Sequence, residues 1–108
     1  MGAKMVEFLF DEAAQTLLCR FDGRMDTVMS GAVSEKFNTE FGGLKAKTES
    51  LKIVFDIKGV DYVASSFLRL SLIAAKGVAK GHFSIIHADP QVLKVYKIAG
   101  LSSLLNVS

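Results

Sequence analysis

Between Lys4 and Phe10 the chain alternates, with Val6, Phe8 and Phe10 on one side and Met5, Glu7 and Leu9 on the other. After the polar turn DEAAQ the alternation resumes from Thr16 to Phe21. A period of two marks half-buried strands, so this segment predicts a β-hairpin. Asp22-Gly23-Arg24 breaks it, and Asp26 or Thr27 offers the cap of a helix in which Met29, Val33, Phe37 and Phe41 recur every fourth residue. Gly42-Gly43 is expected to stop that helix, and LKAKTES reads as a polar loop. LKIVFDI is nearly continuous in apolar residues, the pattern of a strand buried on both faces, and belongs in mid-sheet.

The second half repeats the scheme. A turn at Lys58-Gly59 precedes a helix with Leu68, Leu72, Ala75 and Ala79 on one face, ending near Gly81. HFSIIH supplies a short strand, and Asp89-Pro90 places a cap acid and an N1 proline at the start of a last helix. Val92, Leu93, Tyr96 and Ala99 form its stripe, Gly100 its stop, and LSSLLNVS closes as a turn with a possible edge strand. Strands linked by helices run parallel while the opening hairpin is antiparallel, so the sheet is mixed. Each helix has one apolar stripe. The expected fold is therefore a two-layer α/β domain, a mixed sheet of four to five strands with the helices mostly on one face, spanning 1–108 as a single unit.

Composition narrows the function. A net charge of +2 with Lys and Arg interleaved among Asp and Glu gives no basic run, which argues against nucleic acid. No stretch approaches the roughly 20 apolar residues that cross a bilayer, and the start of the chain lacks a secretory h-region, so a cytoplasmic protein without membrane insertion is expected. Cys19 is the single cysteine and falls in the alternating TLLCRF, where core packing is expected. His82 and His87 bracket FSII as strand-end residues, and without further ligands no metal is expected. No glycine-rich phosphate loop occurs, and no cofactor is expected.

The element order, read with four local stretches, resembles the STAS domain, the module of bacterial anti-sigma-factor antagonists that also occurs in transporter tails and stressosome proteins. Gly23-Arg24-Met25-Asp26 fits the family's Gly, variable, aliphatic, Asp pattern before the first helix, and Asp56 in IVFDI its acid near the end of the central strand. Ala64-Ser65-Ser66-Phe67-Leu68 corresponds to the signature Asp-Ser-Ser/Thr-Gly-Leu, and DPQVLKVYKIAGL to a late proline-marked helix ending in Gly-Leu. Two positions depart from the signature: Ala64 stands where the acid is usual and Phe67 where glycine is usual.

The resemblance implies a regulatory binding protein and no enzyme. It implies that Ser65, the first hydroxyl after the acid position, is the phosphorylation site, with an anti-sigma factor or serine-kinase-like protein as partner. Asp26, Ser65, Ser66, Phe67 and Arg69 are the expected contact residues. Each also has a structural reading: Ser65 and Ser66 as helix-capping hydroxyls, Asp26 as the cap of the first helix, Arg69 as a solvated arginine, and Phe67 as core beneath the preceding loop. Asp56 is expected to bond loop amides. A scaffold or accessory subunit of a stressosome-like or lipid-transport assembly is the alternative that Ala64 and Phe67 favour. Catalysis by Ser65 would need His82 or His87 within hydrogen-bond reach, and no G-x-S-x-G elbow surrounds it.

Overall fold

The structure is a computed structural model and describes residues 5–45 and 49–108. Residue Lys4, where the first strand is expected to begin, and residues 46–48 of the expected polar loop lie outside them. The order is β1 (Val6–Asp11), β2 (Thr16–Asp22), α1 (Thr27–Lys45), β3 (Lys52–Gly59), α2 (Ser65–Lys76), β4 (Phe83–Ile86) and α3 (Pro90–Ile98). The sheet runs β1-β2-β3-β4. β1 and β2 are antiparallel, whereas β2 with β3 and β3 with β4 are parallel. The expected closing strand is a single parallel bridge, Ile85 to Val107, along the outer edge of β4.

Register places the alternating apolar residues in rows. Phe8 pairs with Cys19 and Cys19 with Phe55, which pairs with Ile85. Leu17, Cys19, Phe21, Ile53, Phe55, Ile57, Phe83 and Ile85 are all buried on this face. Cys19 is wholly buried and its thiol is pushed up from the ordinary range, first by burial and then by Glu40. Phe55 is the hub of an aromatic cluster, with ring centroids 4.7 Å from Phe21, 5.0 Å from Phe83 and 5.7 Å from Phe37.

Two helices depart from the pattern-based reading. α1 runs through Gly42-Gly43 to Lys45. Neither glycine has the positive φ that a glycine stop uses. Phe41 nearby stacks on Phe37, with centroids 5.4 Å apart, and such packing outweighs the roughly 1 kcal/mol that each helical glycine forfeits. α2 ends at Lys76 with Gly77 as its C-cap, short of Gly81, and it buries Phe67, Leu70, Ser71 and Ala74. The expected stripe of Leu68, Leu72 and Ala75 is only partly buried against the core, and Ala79 is exposed beyond the helix. The helix is rotated toward Phe67 because a phenylalanine buries more area than the leucine beside it. Ser71 can enter the core because its hydroxyl is satisfied there: it donates to the Phe67 carbonyl at 3.0 Å and lies 2.9 Å from the Tyr96 hydroxyl of α3.

Candidate functional site

α1 and α2 both start at the end of the sheet where β2 and β3 finish, and their entry loops are bound together. Gly23, at φ 96°, turns the chain out of β2 and donates to the Gly59 carbonyl at 3.0 Å. Met25 follows, fully buried, and pairs with Val63: its amide donates to the Tyr62 carbonyl at 2.9 Å and its carbonyl accepts from the Ala64 amide at 2.8 Å. Asp26 then caps α1, its Oδ1 accepting from the Met29 amide at 2.9 Å. Gly23, Met25 and Asp26 of the Gly-Arg-Met-Asp stretch each have a physical task, and the two helix starts become one corner.

Ser65 occupies the first helical position of α2 and is exposed. It is not the cap. That position is held by Ala64 in extended conformation (φ −86°, ψ 167°), which offers no side-chain hydrogen bond, although its carbonyl accepts from the Phe67 and Leu68 amides. The capping reading of Ser65 is thereby overturned, because a cap must precede the helix and bend away from it. No acidic residue stands in the first turn of α2. The helix start keeps its positive end and its free amides beside an exposed hydroxyl.

The remaining expected residues divide. Arg69 is exposed one turn after Ser65 and has no ion pair among the described residues. Asp26 is half-buried and committed to its cap. Ser66 is half-buried, with its Oγ sealed from solvent and without a hydrogen-bond partner. Phe67 is fully buried, edge-on to Phe21 at 5.1 Å and tilted against Phe55 at 6.1 Å. As a contact for a partner it is therefore corrected to core. Its ring reaches inward because the first-turn position it occupies points over β2 and β3, where the other phenylalanines lie.

Exposed apolar surface at this corner comes from residues that sequence reading did not single out. Val28, next to the α1 cap, is 83% exposed, and Tyr62 is 40% exposed with the Arg24 guanidinium 3.9 Å from its ring centroid. A lone valine in the first turn of a helix or a lone tyrosine in a loop carries no periodic signal, and only the fold joins the two at this corner. His87 lies elsewhere: its Nδ1 is 3.0 Å from Asp56 Oδ1, on the sheet face away from the helices. Asp56 also accepts from the Lys58 amide at 3.1 Å, which is the expected role at a strand end. His87 is thus held by Asp56 rather than by Ser65. Among the described residues no group of three His, Cys, Asp or Glu side chains is placed to hold a metal, and no helix is long and apolar enough to cross a membrane.

This arrangement of a mixed four-stranded sheet, helices on one face and paired helix starts is the fold of STAS domains of anti-sigma-factor antagonists. A STAS domain protein from Planctomyces limnophilus superposes with a TM-score of 0.80 at 17% identity, over 95% of this chain and 87% of that one. The anti-sigma factor antagonist SpoIIAA in its unphosphorylated form gives 0.73 at 17% identity over the same shares, and the phosphorylated form of SpoIIAA from Bacillus gives 0.67 at 16% over 95% and 90%. In sequence, the chain is 27% identical over 95 residues to a Bordetella bronchiseptica protein named "Putative anti-sigma factor antagonist BtrV", covering 82% of this chain and 81% of the relative. No known family model matches the chain.

Proposed function

We propose that the chain is an antagonist-like regulatory protein that docks on an anti-sigma factor or kinase-like partner through the corner at the start of α2, and that phosphorylation of Ser65 releases it. The observation that carries the reading is the exposed Ser65 at the first position of a helix with no acid in its first turn. The names of the similar proteins, one of them solved in a phosphorylated form, support it. Arg24, Val28, Tyr62 and Arg69 supply the surrounding contact surface, and Asp26 fixes the α1 side of it. Arginine and tyrosine are the residue types that most often anchor interfaces.

The energetics favour a switch in association over one in folding. A phosphoserine adds about 1.5 to 2 negative charges at neutral pH. At a helix N-terminus these are favourable by roughly 0.3 to 2 kcal/mol, so the domain stays folded. Covering the same charge with an unpaired partner surface costs several kcal/mol, and at about 1.4 kcal/mol per tenfold this is a loss of roughly 100-fold or more in affinity. Phosphopeptide mapping of the protein isolated from its native cells should find phosphate on Ser65. Ser65→Asp should bind a purified anti-sigma-factor kinase far more weakly than Ser65→Ala. Equal binding by the two variants, with no phosphate at Ser65, would remove the switch. The scaffold reading then takes its place, and Ala64, which leaves α2 without the usual acid, is the observation that favours it.

A further inference from the structure

At the far end of α2, about 16 Å along the axis from Ser65 by helical rise, a groove of about 250 Å³ opens between the end of that helix, the start of β4 and the C-terminal segment. Leu72, Val78, Phe83 and Leu104 give it an apolar floor and wall, and Lys76 and Lys80 stand at its rim. No carboxylate lines it, and neither lysine has an ion pair among the described residues. Leu104 is 66% exposed. Lys76 lies in the last turn of α2, where it also offsets the helix dipole, but Lys80 lies past the helix and has no such task.

We infer that this groove is a second docking site, taking one large apolar side chain from an acidic peptide segment of a protein partner. Size and charge select this occupant. Small-molecule sites usually span about 300 to 1,000 Å³, so the groove is undersized for a ligand but suits a single anchoring leucine or phenylalanine, the way helices seat their apolar residues in a partner's groove. Two unpaired cations at the rim with no acid nearby favour carboxylates on either side of that anchor and repel a basic segment. Because the groove and Ser65 lie at opposite ends of α2, charge at Ser65 is screened over more than one Debye length of about 8 Å. Occupancy of the groove is therefore independent of the Ser65 switch, and the protein can stay tethered through one end while the other is released.

The test uses the full chain and two synthetic helical peptides that share one leucine and phenylalanine stripe, the first flanked by glutamates and the second by lysines. Titration followed by amide NMR should show the glutamate peptide shifting Leu72, Val78 and Leu104, and the lysine peptide leaving them in place. Lys76→Glu/Lys80→Glu should weaken the glutamate peptide about tenfold and admit the lysine peptide, since two exposed attractive pairs become repulsive ones. Ser65→Asp should change neither affinity. The inference is overturned if both peptides bind alike, if the shifts fall outside the groove, or if millimolar glutamate peptide shifts nothing there. A failure of the Ser65 switch leaves these results untouched, so the two readings fall separately.

Discussion

Two of the three helices carry an aspartate cap: Asp26 accepts from Met29 before α1 and Asp89 from Gln91 before α3, each at 2.9 Å. α2 alone begins behind an alanine, whose backbone already has the extended conformation of a cap. Ala64→Asp should therefore stabilise the protein with no rearrangement, its carboxylate accepting the free Ser66 amide. An added cap is worth about 0.5 to 2 kcal/mol, and a value near 1 kcal/mol corresponds to a rise in Tm of about 4 °C or more for a domain of this size. The Ala64 amide is bonded to Met25, so the new carboxylate sits close to the Asp26 cap and part of the gain is offset by repulsion at low salt. Ala64→Asn caps without charge and serves as the reference. Urea and thermal unfolding of both variants measure the gain: both should exceed the parent, and the difference between them is the net effect of the added charge, helix-dipole attraction set against repulsion from Asp26. If neither variant is more stable than the parent, the account of α2 as an uncapped helix is wrong.

Other outcomes follow from the packing. Phe67→Ala should cost about 3 to 5 kcal/mol, read by chemical denaturation, because it opens a cavity among Phe21 and Phe55; a loss of partner binding with unchanged stability would return Phe67 to the surface. Ser66→Ala should be neutral or stabilising by about 1 kcal/mol, since it removes a buried hydroxyl without a partner, and a marked destabilisation in urea would reveal a bond that this hydroxyl makes. Tyr96 is pushed up to about 12, mainly by burial and against a partial lowering by its bond to Ser71. The folded protein thus holds the phenol proton more tightly than the unfolded chain, so stability is complete below the ordinary tyrosine value of about 10 and declines by about 1.4 kcal/mol per pH unit as pH climbs from there toward 12. Cys19, also raised, adds a decline beginning near its ordinary value. Denaturation between pH 8 and 11 should show a steeper decline in the parent than in Tyr96→Phe/Cys19→Ala; identical profiles would refute it.

The strands were legible because alternation and β-sheet burial share one period, and LKIVFDI reads as central from its apolar run alone. Asp26 and Asp89 declared their helix starts by residue type. The face of α2 was not legible. Phe67 and Leu68 are both apolar and one residue apart, so the stripe can be drawn through either, and only the aromatic cluster around Phe55 decides between them. Ser71 looks polar in sequence, yet its two hydrogen bonds, one to a residue 25 positions away, admit it to the core. The corner at Ser65 was half visible: motif spacing pointed to Ser65, Arg69 and Asp26, whereas Arg24, Val28 and Tyr62 join them only through the Met25 to Val63 bridge. Ala64 as the cap could not be anticipated, since alanine is among the weakest capping residues.

The C-terminal tail lies along β4 through hydrogen bonds from Ile85 to Asn106, from Ser108 back to Ile85 and from Ala88 to Ser108. One flank of the sheet is closed by the protein itself, and among the described residues nothing pairs with the outer side of β1. Strand-to-strand contact between molecules is thus favoured at β1, and two copies meeting there would each cover the other's open edge.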